Sequence, residues 1–348
     1  MKAPQSEAEL DLRATEPGES LLECVRDLGG DVVVAGAGGK MGSHLCGMLK
    51  RAFEQLGKTN RVVAVSRFGD SAVAASFAER GIDVHPADLT TPEAVAALPD
   101  ASAVFFLAGK KFGTSDAPEQ LTLFNETMPA MVADRYAGVP LVAYSTGCVY
   151  PFVSPASGGS CERDPVGPSG DYAVSCYGRE EALIASSQRH ETPLALIRLN
   201  YSVDLRYGVL VDLATRVLAG EPIDVTMGYF NCIWQGDAID HTIRSLAHAS
   251  AAPASAAPAP CLMNVTGPRI LSVREVAHQL AHLLGKKVII TGEEAETAWL
   301  NDARKSHQLF GEPTVNEETL IEWVADWVKN ERPLLGKLTH FETRDGKY

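Results

Sequence analysis

Val32-Val-Val-Ala-Gly36-Ala-Gly-Gly39-Lys40-Met41-Gly42 is the stretch on which the reading of this 348-residue chain turns. A run of apolar, strand-forming residues enters a glycine cluster, and helical apolar spacing (Leu45, Met48, Leu49, Ala52) begins directly behind it. In a strand–turn–helix of this kind Gly36 permits the tight turn, Gly39 lets the backbone approach a pyrophosphate, and Gly42 allows close packing of helix on strand. The first helical turn, with Lys40 and Met41, offers unpartnered N–H groups and the positive end of the helix dipole to phosphate oxygens. These five residues are the expected phosphate cradle of a dinucleotide site.

Outward from this turn, apolar runs alternate with helical ones. Strands are expected over 31–36, 61–67, 82–84, 103–108, 141–146 and 194–200, and helices over 40–53, 71–80, from Thr91-Pro92 onward, and over 172–189. Continuous apolar strands separated by helices imply a parallel sheet covered on both faces. The fold class read from this pattern is α/β: a Rossmann-type doubly wound parallel sheet followed by a smaller mixed α/β substrate-binding part. Residues 1–29 read as a polar N-terminal extension with a short helix over 21–28, residues 30–200 as the dinucleotide-binding domain, with 231–245 returning to it, and 201–348 as the second part. The alanine- and proline-rich stretch 247–260 has too little apolar bulk to pack a core. Ser272 and Glu275 form a capping box opening a helix that Gly285 stops.

Acidic side chains outnumber basic ones by 44 to 31, a net charge of −13, which disfavours a nucleic-acid backbone or an anionic membrane as partner. No apolar run approaches the ~20 residues of a membrane helix, and the polar, acidic N-terminus does not resemble a targeting peptide. The seven cysteines (24, 46, 148, 161, 176, 232 and 261) are scattered, with no CxxC pair. They read as free thiols, so a cytoplasmic location is expected. No metal site is expected: His278 and His282 share a helix face, but off its apolar stripe and without the glutamate of a zinc protease.

The end of the second strand bears on the cofactor. An NAD site expects an acidic residue about 20 positions beyond the glycines to bind the adenosine ribose. Here the strand ends in Ser66-Arg67, and Asp70 lies past it. A guanidinium beside a hydroxyl suits a 2′-phosphate, so NADP(H) is the favoured cofactor, with NAD(H) left open. Asp88 and Leu89, after the third strand, are placed to contact the adenine region.

With Gly36-x-x-Gly39-x-x-Gly42, Asp88-Leu89, the strand Val104-Phe-Phe-Leu-Ala108-Gly109, Asn125, Tyr144-Ser-Thr146-Gly-Cys-Val-Tyr150, Tyr172 and Ile233-Trp234-Gln-Gly-Asp237, the chain resembles the extended short-chain dehydrogenase/reductase family of NAD(P)-dependent sugar epimerases and dehydratases. The resemblance implies a cofactor site that also includes Ala108, Gly109, Asn125 and the residue at 176. It implies Thr146 and Tyr172 as catalytic residues, a small-molecule substrate, and dimerisation of the kind common in that family. The family's lysine four residues after the tyrosine should stand at 176, where this chain has Cys176. Moving a phenol from a pKa near ~10 to ~7 requires about 4 kcal/mol of preference for the phenolate, which a neutral thiol does not supply. Arg179, seven residues beyond Tyr172 on roughly the same helix face, is a candidate to replace that lysine but stands a turn too far along, so a salt bridge on its own helix is the expected role. Lys110 and Lys111 either project toward the nicotinamide or an acidic substrate or are solvated loop charges.

On the substrate side, Asn200, Tyr201 and Arg206 follow the last expected core strand and suit a polyhydroxylated or carboxylated molecule; Trp234 either reaches the same cavity or is core. The function expected is hydride transfer at a hydroxyl or carbonyl of a sugar or sugar-acid-like substrate, alone or as half of an epimerisation. The alternative is a catalytically degenerate NAD(P)-binding sensor or scaffold.

Overall fold

The computed structural model describes residues 2–110, 118–250 and 261–344; Lys111 and most of the alanine–proline stretch lie outside them. Strands β1 (Val32–Ala35), β2 (Val62–Ser66), β3 (Asp83–Pro86), β4 (Ala103–Phe106), β5 (Leu141–Thr146) and β6 (Leu194–Leu199) form one sheet with a seventh strand, Cys261–Val265. Its order is Cys261–Val265, β6, β5, β4, β1, β2, β3, and every neighbouring pair is parallel. The Rossmann-type architecture is thus as the sequence predicts. The seventh strand is a difference, since it is contributed from beyond residue 200, and it extends the sheet at the edge next to β6.

Alternation along β1 sends Val32 and Val34 to one face and Val33 and Ala35 to the other. The first pair packs with Leu45, Leu49 and Phe53 of helix Lys40–Gln55 and Ile239 and Ile243 of helix Gln235–Arg244. The second packs with Leu98, Val132 of helix Met128–Arg135, and Leu183 of helix Asp171–His190. A separate core joins helices Val209–Ala219, Val273–Leu284 and Glu317–Lys329 through Leu213, Leu280 and Val324. Ser272 caps the second of these by accepting the Glu275 N–H, and Gly285 ends it at φ +68°.

The N-terminal residues are more than a polar lead-in. Helix Glu7–Ala14 buries Leu10 and Ala14 in that second core. Asp11 accepts from Arg206 at 2.8 Å and lies 2.7 Å from His44 Nε2, tying the segment to both halves of the molecule. Among the described residues no helix is long and apolar enough to cross a membrane.

β1 and β4 are neighbours although two strands, β2 and β3, lie between them in sequence, and the crevice at their carboxyl ends is the switch point of the sheet. Gly36 sits there at φ +91°, with Ala108 so close that an added Cβ would overlap its backbone; a Cβ on Gly42 would overlap Ala37. Gly36→Ala therefore meets both a left-handed backbone and a steric overlap. It should lower stability in urea denaturation by about 2 kcal/mol or more, and an unchanged midpoint would contradict this packing.

His241, on helix Gln235–Arg244, is buried against Phe310, with the rings of the two 5.2 Å apart, and faces His307 and Arg244. Desolvation, reinforced by His307 and Arg244, depresses its pKa to about 3. The unfolded chain binds this proton near 6.5 and the folded one does not, so stability is full above pH 6.5 and declines as pH falls toward 3. Between pH 7 and 5 the protein should lose about 2 kcal/mol that His241→Gln does not lose, measured by denaturation at the two pH values. Parallel losses would overturn the assignment.

Candidate active site

A cleft of about 280 Å³ opens over the carboxyl ends of β1, β2 and β4, lined by Gly36, Gly38, Gly39, Ser66, Arg67, Asp88, Leu89, Ala108, Gly109 and Phe124 among others. Its floor is bare because glycine is required there: a Cβ on Gly38 would stand 2.6 Å from Ser66 Oγ. Helix Lys40–Gln55 begins at Gly39 without a side-chain cap, leaving its first-turn N–H groups for a ligand's phosphate oxygens. An extended phosphate-bearing ligand such as a dinucleotide fits this cradle. The Lys40 side chain leaves it, donating to Ser202 O at 2.8 Å over the Tyr207 ring, and Met41 Sδ accepts from Ser202. Both residues thereby join the glycine turn to the second half of the molecule.

Arg67 and Lys110 approach the same ring in the cleft wall, 5.8 and 5.7 Å from the centroid of Phe124. Lys110 Nζ also donates to Gln120. The Thr90 hydroxyl and N–H hold the Asp88 carboxyl below the usual carboxylate range, with Arg67 assisting. Asp70 caps helix Ser71–Glu79 through the Ala72 N–H, so it is committed to the helix end. Asn125 is fully buried: it donates to Lys110 O, accepts the Lys110 N–H and donates to Ser175 Oγ at 2.8 Å. Its part is to fix the end of the cleft from behind rather than to line it.

Thr146 ends β5, and its Oγ1 accepts the Cys148 N–H at 3.3 Å. Tyr172 stands in the first turn of helix Asp171–His190, with Cys148 and Cys176 as neighbours. Burial first, and the Cys176 thiol next, push its phenol well above the usual value, while Arg179 acts in the opposite sense. Tyr201, at φ +41°, is likewise raised by burial and then by Cys148. Cys148, whose N–H Thr146 accepts, thus lies within electrostatic reach of both Tyr172 and Tyr201.

Four expected positions are committed to the protein's own packing or hydrogen bonds. Cys176 is wholly buried beside Val149 and Tyr150, so its thiol is not on the cofactor cleft; a small side chain on the inner face of the helix is simply enclosed. Asn200 is buried and spends its amide on Asn231 at 3.0 Å. Arg206 is held by Asp204, Asp11 and Glu7. Trp234 belongs to the second core, edge-on to Trp323 with ring centroids 5.7 Å apart. His278 and His282 are exposed, and no metal-binding group assembles among the described residues.

Sequence reasoning also misplaced Arg179. It is buried and has no ion-pair partner among the described residues; its terminal nitrogens donate to Tyr144 O at 3.1 Å and Asn125 Oδ1 at 2.5 Å. Asn301, missed altogether, packs its buried amide on Gly147. It comes from an irregular segment with no motif to point to it.

A search of curated proteins gave no match. Among solved structures the chain is similar to MoeE5 in complex with UDP-glucose and NAD, at 20% identity over 87% of this chain and 99% of that one, TM-score 0.65. It is similar to UDP-glucuronic acid 4-epimerase from Bacillus cereus in complex with UDP-glucuronic acid and NAD, at 18% identity over 86% and 99%, TM-score 0.68. A third is dTDP-glucose 4,6-dehydratase from Bacillus anthracis in complex with NAD, at 16% identity over 86% and 97%, TM-score 0.69. These likenesses show the shared fold. The model of the NAD dependent epimerase/dehydratase family matches residues 32–226, more than half of the chain. Glycine turn, sheet order and family match together place this chain in the NAD dependent epimerase/dehydratase family.

Proposed function

We propose that this protein is a nicotinamide-dependent oxidoreductase or epimerase acting at a hydroxyl or carbonyl of a sugar or sugar acid. One observation carries the reading: a glycine-floored cleft ends at Gly109, and beyond the neighbouring strand Cys148 gives its N–H to Thr146 and lies within electrostatic reach of Tyr172. A nicotinamide dinucleotide, when bound, supplies the hydride acceptor or donor. Gly36, Gly39 and Gly42, with the Lys40 and Met41 backbone, would hold its pyrophosphate; Ser66 and Arg67 its adenosine ribose; Asp88 and Leu89 its adenine; Ala108 and Gly109 its other ribose.

Tyr172 carries the proton at the substrate oxygen. Held protonated by burial, it is suited to donate, so the site is set for reduction of a carbonyl near neutral pH. Thr146 keeps its own O–H for the same oxygen, since its Oγ1 only accepts from Cys148. A sensor or scaffold role lacks comparable support, because it gives no reason for Thr146 and Tyr172 to share one neighbour.

The preference for NADP(H) is part of the proposal. Two cations, Arg67 and Lys110, flank Phe124 at the cleft wall, with Ser66 beside them and Asp70 engaged elsewhere. That set suits a phosphate better than a ribose diol. A homodimer, on the resemblance, and a cytoplasmic location, on the scattered thiols, complete the reading.

Arg67→Ala should weaken NADP(H) about tenfold or more and NAD(H) by less than about threefold in equilibrium titrations; equal losses would contradict the phosphate argument. Sugars and sugar acids should be screened for turnover by the absorbance of the reduced nicotinamide. On a working substrate Tyr172→Phe should lower kcat about a thousandfold, and unchanged turnover would overturn the proton-transfer role.

A further inference from the structure

Two arginines are buried beneath the site, and their surroundings differ. Arg198, on β6, forms a two-pronged ion pair with Glu180, at 2.9 and 2.6 Å, and Ser145 donates to the same carboxylate. Arg179, on the helix of Tyr172, meets only neutral acceptors, the Tyr144 carbonyl and the Asn125 amide oxygen, and its Nε has no partner among the described residues. Its guanidinium lies directly behind Gly109, where a Cβ would overlap it, and Gly109 lines the cleft. The other charged groups around it are accounted for. Glu180 is spent on Arg198, Glu126 lies against Gly178, and the Lys110 amine turns to Gln120 and Phe124. Tyr172, Cys176 and Arg179 follow one another at i, i+4 and i+7 on one helix face, about 10 Å from end to end.

We infer that Arg179 supplies the positive charge that position 176 lacks, acting from beneath Gly109 as a positioning residue that steadies negative charge on Tyr172 and disfavours the cationic, oxidised nicotinamide. A buried guanidinium without a carboxylate projects its charge, whereas a paired one such as Arg198 does not. Arg179 is placed to do this because Asn125, an amide and not an acid, holds it; an aspartate there would cancel it. The sense of its influence on the phenol agrees, opposing that of burial and of the two thiols Cys176 and Cys148. The inference about the nicotinamide rests on the proposed function; the one about Tyr172 does not.

The test uses the full chain with wild-type Arg179, Arg179→Lys, Arg179→Met, and Asn125→Asp, which neutralises the guanidinium while keeping it in place. A fluorinated tyrosine, more acidic than tyrosine, is introduced at position 172 so that its ionisation falls within the stable pH range and is read by phenolate absorbance. Circular dichroism and melting confirm that each variant is folded. Wild type and Arg179→Lys should titrate together, and Arg179→Met and Asn125→Asp should both titrate about one pH unit higher. In parallel, the ratio of Kd for oxidised to reduced cofactor should fall about tenfold in the same two variants. Equal phenol midpoints in all four proteins would overturn the role of Arg179. Failure of wild type to bind either cofactor would instead sink the hydride-transfer reading and leave the phenol titration to decide on Arg179.

Discussion

The molecule is organised by a steric constraint at the crossing of β1 and β4. The chain leaves β1 at Gly36, passes against Ala108 with no room for a side chain, and re-enters a helix whose Gly42 lies on the Ala37 backbone. That contact closes the βα turn onto the neighbouring strand and leaves the cleft floor open. It also sets Lys40 and Met41 so that their side chains reach Ser202, in the short strand Ser202–Val203. The glycine turn and the second half of the molecule are therefore joined, and a change at Gly36 or Gly42 would disturb both.

Electrostatics gives the site its second character. Tyr172, the proposed proton carrier, sits in a place that burial makes hostile to its charged form, and Cys176 deepens that effect. The neighbourhood contains one strongly paired charge couple, Glu180 with Arg198, and one guanidinium held by neutral acceptors. The first fastens helix to sheet, and the second is the one proposed to act on Tyr172. A helix that keeps Tyr172 but not the lysine need not have lost its chemistry if the charge comes from the next turn.

Much of this was legible in the residues. The apolar run into Gly36-x-x-Gly39-x-x-Gly42 dictates strand, turn and helix by local rules, and the capping box at Ser272 does the same for its helix. What was not legible depended on distant packing or on the reach of long side chains. Cys261-Leu-Met-Asn-Val265 is short and follows a stretch of alanine and proline, so only its pairing with β6 makes it a strand. Helix Glu7–Ala14 is amphipathic only slightly, and its docking through Leu10, Ala14 and Asp11 shows in no local pattern. Trp234 and Arg206 belong to residue types common in pockets, yet one fills a core and the other an ion-pair network. Arg179 lies too far along the helix to be matched to Tyr172 by position, but its side chain folds back beneath Gly109, which is a property of conformation and not of spacing.

The central claim is that the cleft over Gly36, Gly39 and Gly109 holds a nicotinamide dinucleotide. Calorimetric titration of the wild-type chain at pH 7 with NADP(H) and NAD(H) in parallel tests it most directly. The account predicts saturable one-to-one binding at micromolar concentration, tighter for the phosphorylated cofactor and tighter for its reduced form. Absence of binding by all four dinucleotides from a folded protein would contradict it and leave the glycine turn as an element of architecture alone.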